Sequence, residues 1–224
     1  MQGFSYMTNK LVQEIITKLE ESKVLTKQGV LTFDLAGIRI QMDNKDIIGG
    51  ILQSWFGAWL LKNGFSDLKK KTQTFPDFLF KGKIFLELKT FNSEASPAFD
   101  IANFASYIDS LLVTPQRLNA DYLIFSYKVK SKKISLSEIW VKKIWEISGP
   151  SKTNIINIQK KRNQPYNLRP TSGFRTGVSG FASRREFVDY LWRAGLKFRT
   201  PDCCDADWFR KVETKFKKTT GCEL

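Results

Sequence analysis

Asp77, Glu87 and Lys89 are the residues of this chain best equipped for chemistry, and all three lie within Thr74–Phe91, TFPDFLFKGKIFLELKTF. That stretch reads as two strands, Phe75–Phe80 and Ile84–Phe91, joined by Lys81-Gly82-Lys83. Gly82 supplies the positive φ that a three-residue hairpin loop usually needs. In this register Phe80 faces Ile84, Phe78 faces Leu86 and Asp77 faces Glu87. Cross-strand partners share a face, about 5 Å apart. Alternation then brings Lys89 to the same face, one step beyond Glu87, and turns Leu86 and Leu88 into a core. Two neighbouring carboxylates repel and take up a proton unless a cation sits between them. Their hard oxygens suit Mg²⁺. A lysine beside such an ion can orient a water and stabilise charge developing on a phosphate. The set is equipment for hydrolysing a phosphodiester; the bland alternative is an edge hairpin whose Asp, Glu and Lys are merely solvated.

Pro76-Asp77 and Glu87-Leu88-Lys89 resemble the PD and E-x-K of the PD-(D/E)XK nuclease superfamily. The closer likeness is to type II restriction endonucleases related to the mismatch-repair nicking enzyme MutH. Asn44–Ala58, NKDIIGGILQSWFGA, looks like that group's helix ahead of the catalytic hairpin. Tyr166–Pro170, YNLRP, and Gly180-Phe181 look like its later segments, so the likeness runs over residues 40–195. It implies an α/β, restriction-endonuclease-like core: a mixed central sheet holding the catalytic hairpin, flanked by helices. It further implies that Asp77, Glu87 and the backbone carbonyl of Leu88 ligand Mg²⁺, and that Lys89 positions the attacking water. The products would carry 5′-phosphate and 3′-hydroxyl ends. Gln53 stands where the MutH-like enzymes carry an acidic residue that helps bind metal. An amide can still orient a water by hydrogen bonding, but the departure puts a second metal ion in doubt.

The same resemblance implies a site-specific enzyme acting on double-stranded DNA at a short palindrome, of which GGNNCC is one form. Cutting both strands of a palindrome needs two active sites related by a two-fold axis, hence a homodimer. A cognate methyltransferase would protect host DNA. Two other readings use the same residues. A MutH-like nickase would share the site, and a non-cleaving DNA-binding module would leave Asp77, Glu87 and Lys89 as a solvated face.

Composition agrees with a nucleic-acid partner. The 224 residues carry a net charge of +14 with a pI near 9.7, which calls for a polyanion. With 42% hydrophobic residues the chain can bury one good core, and one domain is expected. No apolar run approaches the roughly 20 residues that span a bilayer, and no signal peptide opens the chain, so a soluble cytoplasmic protein is expected. The absence of histidine excludes histidine-based triads and histidine–metal nucleases. Cys203, Cys204 and Cys222 have no zinc-site spacing and read as free thiols.

The elements that must position the hairpin follow from periodicity. Thr8–Glu21 has Leu11, Ile15, Ile16 and Leu19 at helical spacing. Val30–Gln41, broken at Ala36-Gly37, suits short scaffold strands. Asp43–Leu61 is the strongest amphipathic helix, and Gly49, Gly50 and Gly57 within it suggest close backbone approach. Pro97–Leu112 has a helix-like pattern, while Asp121–Lys128 and Ile134–Ile147 read as strands. Two more helices are expected over Ser183–Ala194 and Asp205–Lys217.

Cations along this framework are candidate DNA contacts. Lys71 and Gln73 lead into the hairpin. Ser148–Gln164 is either a surface loop or a DNA-contacting arm in which Lys160, Lys161 and Arg162 grip phosphates. By resemblance the following region continues into the DNA cleft, which selects Arg169 and Arg175. Arg184 and Arg185 oppose the dipole at the start of their helix, which points to a phosphate partner.

Overall fold

The computed structural model describes residues 9–42, 44–70, 74–200 and 205–224. In chain order the elements are α1 (Lys10–Glu21), β1 (Gln28–Leu35), β2 (Ile38–Met42), α2 (Lys45–Lys62), β3 (Leu68–Lys70), β4 (Phe78–Phe80), β5 (Ile84–Asn92) and β6 (Ala102–Asn103). There follow α3 (Phe104–Val113), β7 (Asp121–Lys130), β8 (Lys133–Lys142), α4 (Ile144–Ile147), β9 (Ile158–Lys161), β10 (Gln164–Leu168), α5 (Arg184–Phe198) and α6 (Trp208–Thr220). The described residues cluster into two units: those up to Pro97 with Asp121–Val141, and those of Ala98–Ala120 with Lys142–Leu224.

The first unit is built on a seven-stranded sheet in the order β2-β1-β8-β7-β5-β4-β3. β5 and β7 run parallel, with Glu87 beside Tyr122, while β3, β4 and β5 run antiparallel in succession. The sheet is therefore mixed, as expected, and its inner strand β5 carries the E-x-K residues. β7 is buried from Asp121 to Tyr127, which is why Tyr122, Leu123, Ile124 and Phe125 follow one another without polar alternation. Helices α1 and α2 close one core with the sheet: Val12, Ile15, Ile16 and Leu19 meet Ile48, Leu52, Phe56 and Leu60 in a single cluster with Phe78, Leu86, Leu88 and Phe125. Phe56 sits at the centre of it, fully buried and edge-on to Phe78 and Phe125 at 5.5 and 5.4 Å. Phe→Ala in such a site costs about 3–5 kcal/mol, so Phe56→Ala is expected to lower the urea midpoint by that stability without changing the m-value.

The glycines of α2 explain how it reaches the hairpin. A Cβ on Gly57 would stand 3.3 Å from the Phe78 ring, and one on Gly49 would stand 3.2 Å from the Thr90 hydroxyl. Gly49, Gln53 and Gly57 are four residues apart and share one helical face. The close approach expected of the glycines thus holds at Gly49 and Gly57, and Gly50 meets nothing.

The second unit holds the three-stranded sheet β6-β10-β9 and helices α3 to α6. Two elements differ from the sequence expectation here. Helix α3 begins only at Phe104, because Ala102 and Asn103 pair with β10 and the Asn103 side chain caps the helix through the Ser106 N–H. The strand expected over Ile134–Ile147 stops at Lys142. The chain then turns into α4, started by the Glu146 carboxylate accepting the Lys143 N–H at 2.6 Å.

Candidate active site

The hairpin loop holds its register through two left-handed residues. Lys81 and Gly82 have φ of 47° and 68°, and the Lys83 N–H donates to the Phe80 carbonyl at 3.0 Å. Phe80 faces Ile84 and Phe78 faces Leu86, as the spacing predicts. The ladder begins only at Phe78, one residue later than Asp77. Asp77 is joined to β5 by side-chain bonds instead: its N–H donates to Glu87 Oε2 at 3.1 Å, and its Oδ2 accepts the Leu88 N–H at 2.9 Å. The expected pair Asp77–Glu87 is formed, by a different kind of hydrogen bond.

Lys89 Nζ lies 2.9 Å from Glu87 Oε1, and Gln53 Nε2 donates to Asp77 Oδ1 at 2.5 Å. So α2, the segment before β4, and β5 each contribute a group to one polar cluster. Leu86 and Leu88 are buried on the opposite side, at 0% and 6% exposure. Glu87 is itself only 7% exposed. Burial, reinforced by the charge of Glu87, pushes the Asp77 carboxyl up to about 6, against the opposing pull of the Leu88 N–H, Lys89 and Gln53. The two carboxylates, with the Leu88 carbonyl next to Glu87 in sequence, are the donors here that could hold a hard cation. Among the described residues no cluster of three or more acidic, histidine or cysteine side chains supplies a richer set.

Sequence reasoning missed one contribution: the Leu88 N–H fixes Asp77, so the residue between Glu87 and Lys89 acts through its amide. Spacing gives no signal for that, because the bond depends on Asp77 lying outside the ladder. Of the basic run before the hairpin, Lys71 and Gln73 lie outside the described residues. Lys70 is described, in β3, with its Nζ 3.5 Å from the Ser54 hydroxyl of α2.

The remaining candidate cations all belong to the second unit. Lys160 and Lys161 stand exposed on β9, and Arg162 occupies the β9–β10 turn at φ 51°. Arg169 is held within its own unit by Asp100 at 3.2 Å, by the Gln159 side chain at 2.6 Å and by the Ala98 carbonyl. Arg175 is half-buried in the turn Ser172–Thr176. Arg185 pairs with Glu213 and lies over the Phe209 ring. Arg184 is spent inside the unit. It is 9% exposed, stacks on Phe216 at 4.2 Å, and donates to the Asn119 side chain and the Glu223 carbonyl. Its opposition to the helix dipole is offset by those partners.

Known proteins bear on this arrangement directly. The family model described as NgoBV restriction endonuclease matches residues 9–224. The chain is 32% identical over 222 residues to the type II restriction enzyme NlaIV of Neisseria lactamica, covering 95% of this chain and 91% of that enzyme. It is 32% identical over 162 residues to the type II restriction enzyme NgoBV of Neisseria gonorrhoeae, covering 70% of this chain and 93% of that one. The solved structure of the NlaIV restriction endonuclease superposes with a TM-score of 0.86 at 31% identity, over 95% of this chain and 90% of that structure. The chain belongs to the NgoBV restriction endonuclease family of type II restriction enzymes.

Proposed function

We propose that this restriction enzyme is a Mg²⁺-dependent endonuclease that cuts both strands of DNA at a short palindromic site, leaving 5′-phosphate and 3′-hydroxyl ends. The observation that carries the reading is the cluster of Asp77, Glu87 and Lys89, with Glu87 buried, Asp77 half-buried and the Asp77 carboxyl driven up to about 6. Two carboxyl groups held this close and shielded from water accept a hard cation readily, and Asp77, Glu87 and the Leu88 carbonyl would hold it. Mg²⁺ bound there supplies positive charge against the scissile phosphate and acidifies water. Lys89, anchored by Glu87, presents its ammonium to the attacking water and to the charge that builds on the phosphate. Gln53 holds Asp77 in orientation from the α2 side.

Lys160, Lys161 and Arg162 grip phosphates, joined by Lys71, Gln73, Arg175 and Arg185, and Arg169 orders the β9 strand beside them. Two copies act together on the palindrome, in the cytoplasm, with a cognate methyltransferase protecting the host genome. The family match over residues 9–224 supports treating the chain as one nuclease domain. No helix among the described residues is long and apolar enough to cross a membrane.

The test is incubation of supercoiled plasmid and phage DNA with the protein in Mg²⁺ or in EDTA, followed by end mapping. Discrete fragments with 5′-phosphates, absent in EDTA, are expected. Nicked circles alone would replace this reading with a nickase, and uncut but shifted DNA would replace it with a binding module. A smaller effect is expected at Gln53. Removing a hydrogen bond to a charged group costs about 1.5–3 kcal/mol, so Gln53→Ala should slow single-turnover cleavage about tenfold or more at saturating Mg²⁺.

A further inference from the structure

The hairpin of β1 and β2 has three apolar rungs on one face: Leu31 with Met42, Phe33 with Ile40, and Leu35 with Ile38. The other face is polar, with Thr32 opposite Gln41 and Asp34 opposite Arg39. The apolar face prolongs the core side of the seven-stranded sheet. At its foot Leu31 packs against the cluster that holds Ile134 and Leu136 of β8. Past that rung no described residue of the unit covers it: Phe33 is 48% exposed, Ile40 50%, Leu35 65% and Ile38 70%. Folded monomers seldom leave such a row of large side chains in water without a use for it. The foot of the hairpin opens into an apolar groove of about 340 Å³, whose lining includes Leu31, Leu136, Val24, and Ile51 and Trp55 of α2.

Charge decides between occupants. Residues 28–42 carry one anion and one cation, Asp34 and Arg39, paired at 3.0 Å, whereas the whole chain carries +14. A surface for DNA or for an anionic membrane would present several cations around its apolar residues; the hairpin itself has none in excess, and Lys27 is the single cation lining the groove at its foot. Two copies of a strongly basic chain repel each other, and a neutral apolar face is where they can meet without bringing lysines together. The three-rung pattern also suits self-association. With a two-fold axis at the middle rung, Phe33 and Ile40 face their own copies, and the tip rung of each hairpin lies over the foot rung and groove of the other.

We propose that the apolar face of the β1–β2 hairpin is the dimer interface of this enzyme, packed against the same face of a second copy about a two-fold axis. The interface rests on the nuclease reading only for the reason a pair is needed. It places the partner's tip against α2, the helix that carries Gln53 to Asp77.

The experiment is sedimentation equilibrium of the full chain without DNA, with cleavage measured in parallel. Wild type is expected to be a dimer at about 10 µM, and Phe33→Asp/Ile40→Asp to weaken dimerisation at least tenfold with an unchanged circular dichroism spectrum. Leu35→Lys/Ile38→Lys, at the exposed tip, provides the same reading if the first variant does not fold. In a background with Cys203, Cys204 and Cys222 replaced by serine, Ile40→Cys is expected to form a covalent dimer on oxidation and Arg39→Cys to remain monomeric. A monomeric wild type, or folded variants that dimerise as wild type does, would overturn the interface. A monomer that still cuts DNA leaves the nuclease reading standing. A dimer lost in the variants that cuts nothing keeps the interface and removes the nuclease reading.

Discussion

Replacing Lys89 by alanine is expected to lower single-turnover DNA cleavage about a thousand-fold, within the range of about 10²–10⁴ for a positioned proton-transfer or charge-stabilising group. The ammonium sits 2.9 Å from Glu87 and next to the carboxylate pair, so its loss removes the one cation that the described residues hold inside the cluster. DNA affinity should change less than threefold, because the chain keeps 35 of its 36 lysines and arginines. Lys89→Arg restores the charge, but a planar guanidinium is a poor substitute for a compact ammonium, and only partial recovery is expected. Filter binding and single-turnover kinetics on one DNA separate the two effects. A variant that loses binding and cleavage in parallel would make Lys89 a phosphate contact and not a catalytic group.

The second large effect is in pH. In the metal-free protein Asp77 titrates at about 6 against an ordinary value of 3.8. Between those values the folded chain holds a proton at Asp77 that the unfolded chain has lost. Stability therefore falls as pH rises through this window. The contribution is present below about pH 4 and gone above about pH 6. It amounts to at most about 3 kcal/mol, reduced where water reaches the carboxyl. Mg²⁺ reverses the balance by occupying the ionised pair, so added Mg²⁺ should raise the melting temperature above pH 6 and do little at pH 4. At Mg²⁺ well below saturation cleavage follows the ionised form, falling about tenfold per unit below pH 6, and higher Mg²⁺ moves that fall to lower pH. Asp77→Asn should remove the difference in thermal stability between metal-free protein at pH 4 and pH 7 that belongs to this group. Cleavage at sub-saturating Mg²⁺ that stays level down to pH 5 would remove Asp77 from the metal set.

Much of the site could be read from local sequence because local rules build it. Gly82 and a three-residue loop fix the hairpin register, and period-2 alternation separates Glu87 and Lys89 from Leu86 and Leu88. The helical stripe of α2 and its glycines announced a close approach, and Gly49 and Gly57 make it. What could not be read depends on contacts distant in sequence. Arg184 looks like a phosphate ligand at a helix start, yet Phe216, Asn119 and Glu223 enclose its guanidinium. The strand of Ala102 and Asn103 exists only because β10 pairs with it. The β1–β2 hairpin alternates in the same way whether or not its apolar face is covered, so sequence alone reads it as scaffold and exposure alone marks it as a surface.

Plasmid cleavage by wild type and Asp77→Asn, side by side across a Mg²⁺ titration, tests the role of the carboxylate pair most directly. Discrete fragments from wild type that appear with Mg²⁺ and vanish in EDTA are predicted. The variant should bind the same DNA and leave it intact at every concentration. Cutting by Asp77→Asn at the wild-type rate, or wild-type cutting that persists in EDTA, would contradict the assignment of Asp77, Glu87 and Lys89 as the metal-dependent catalytic centre.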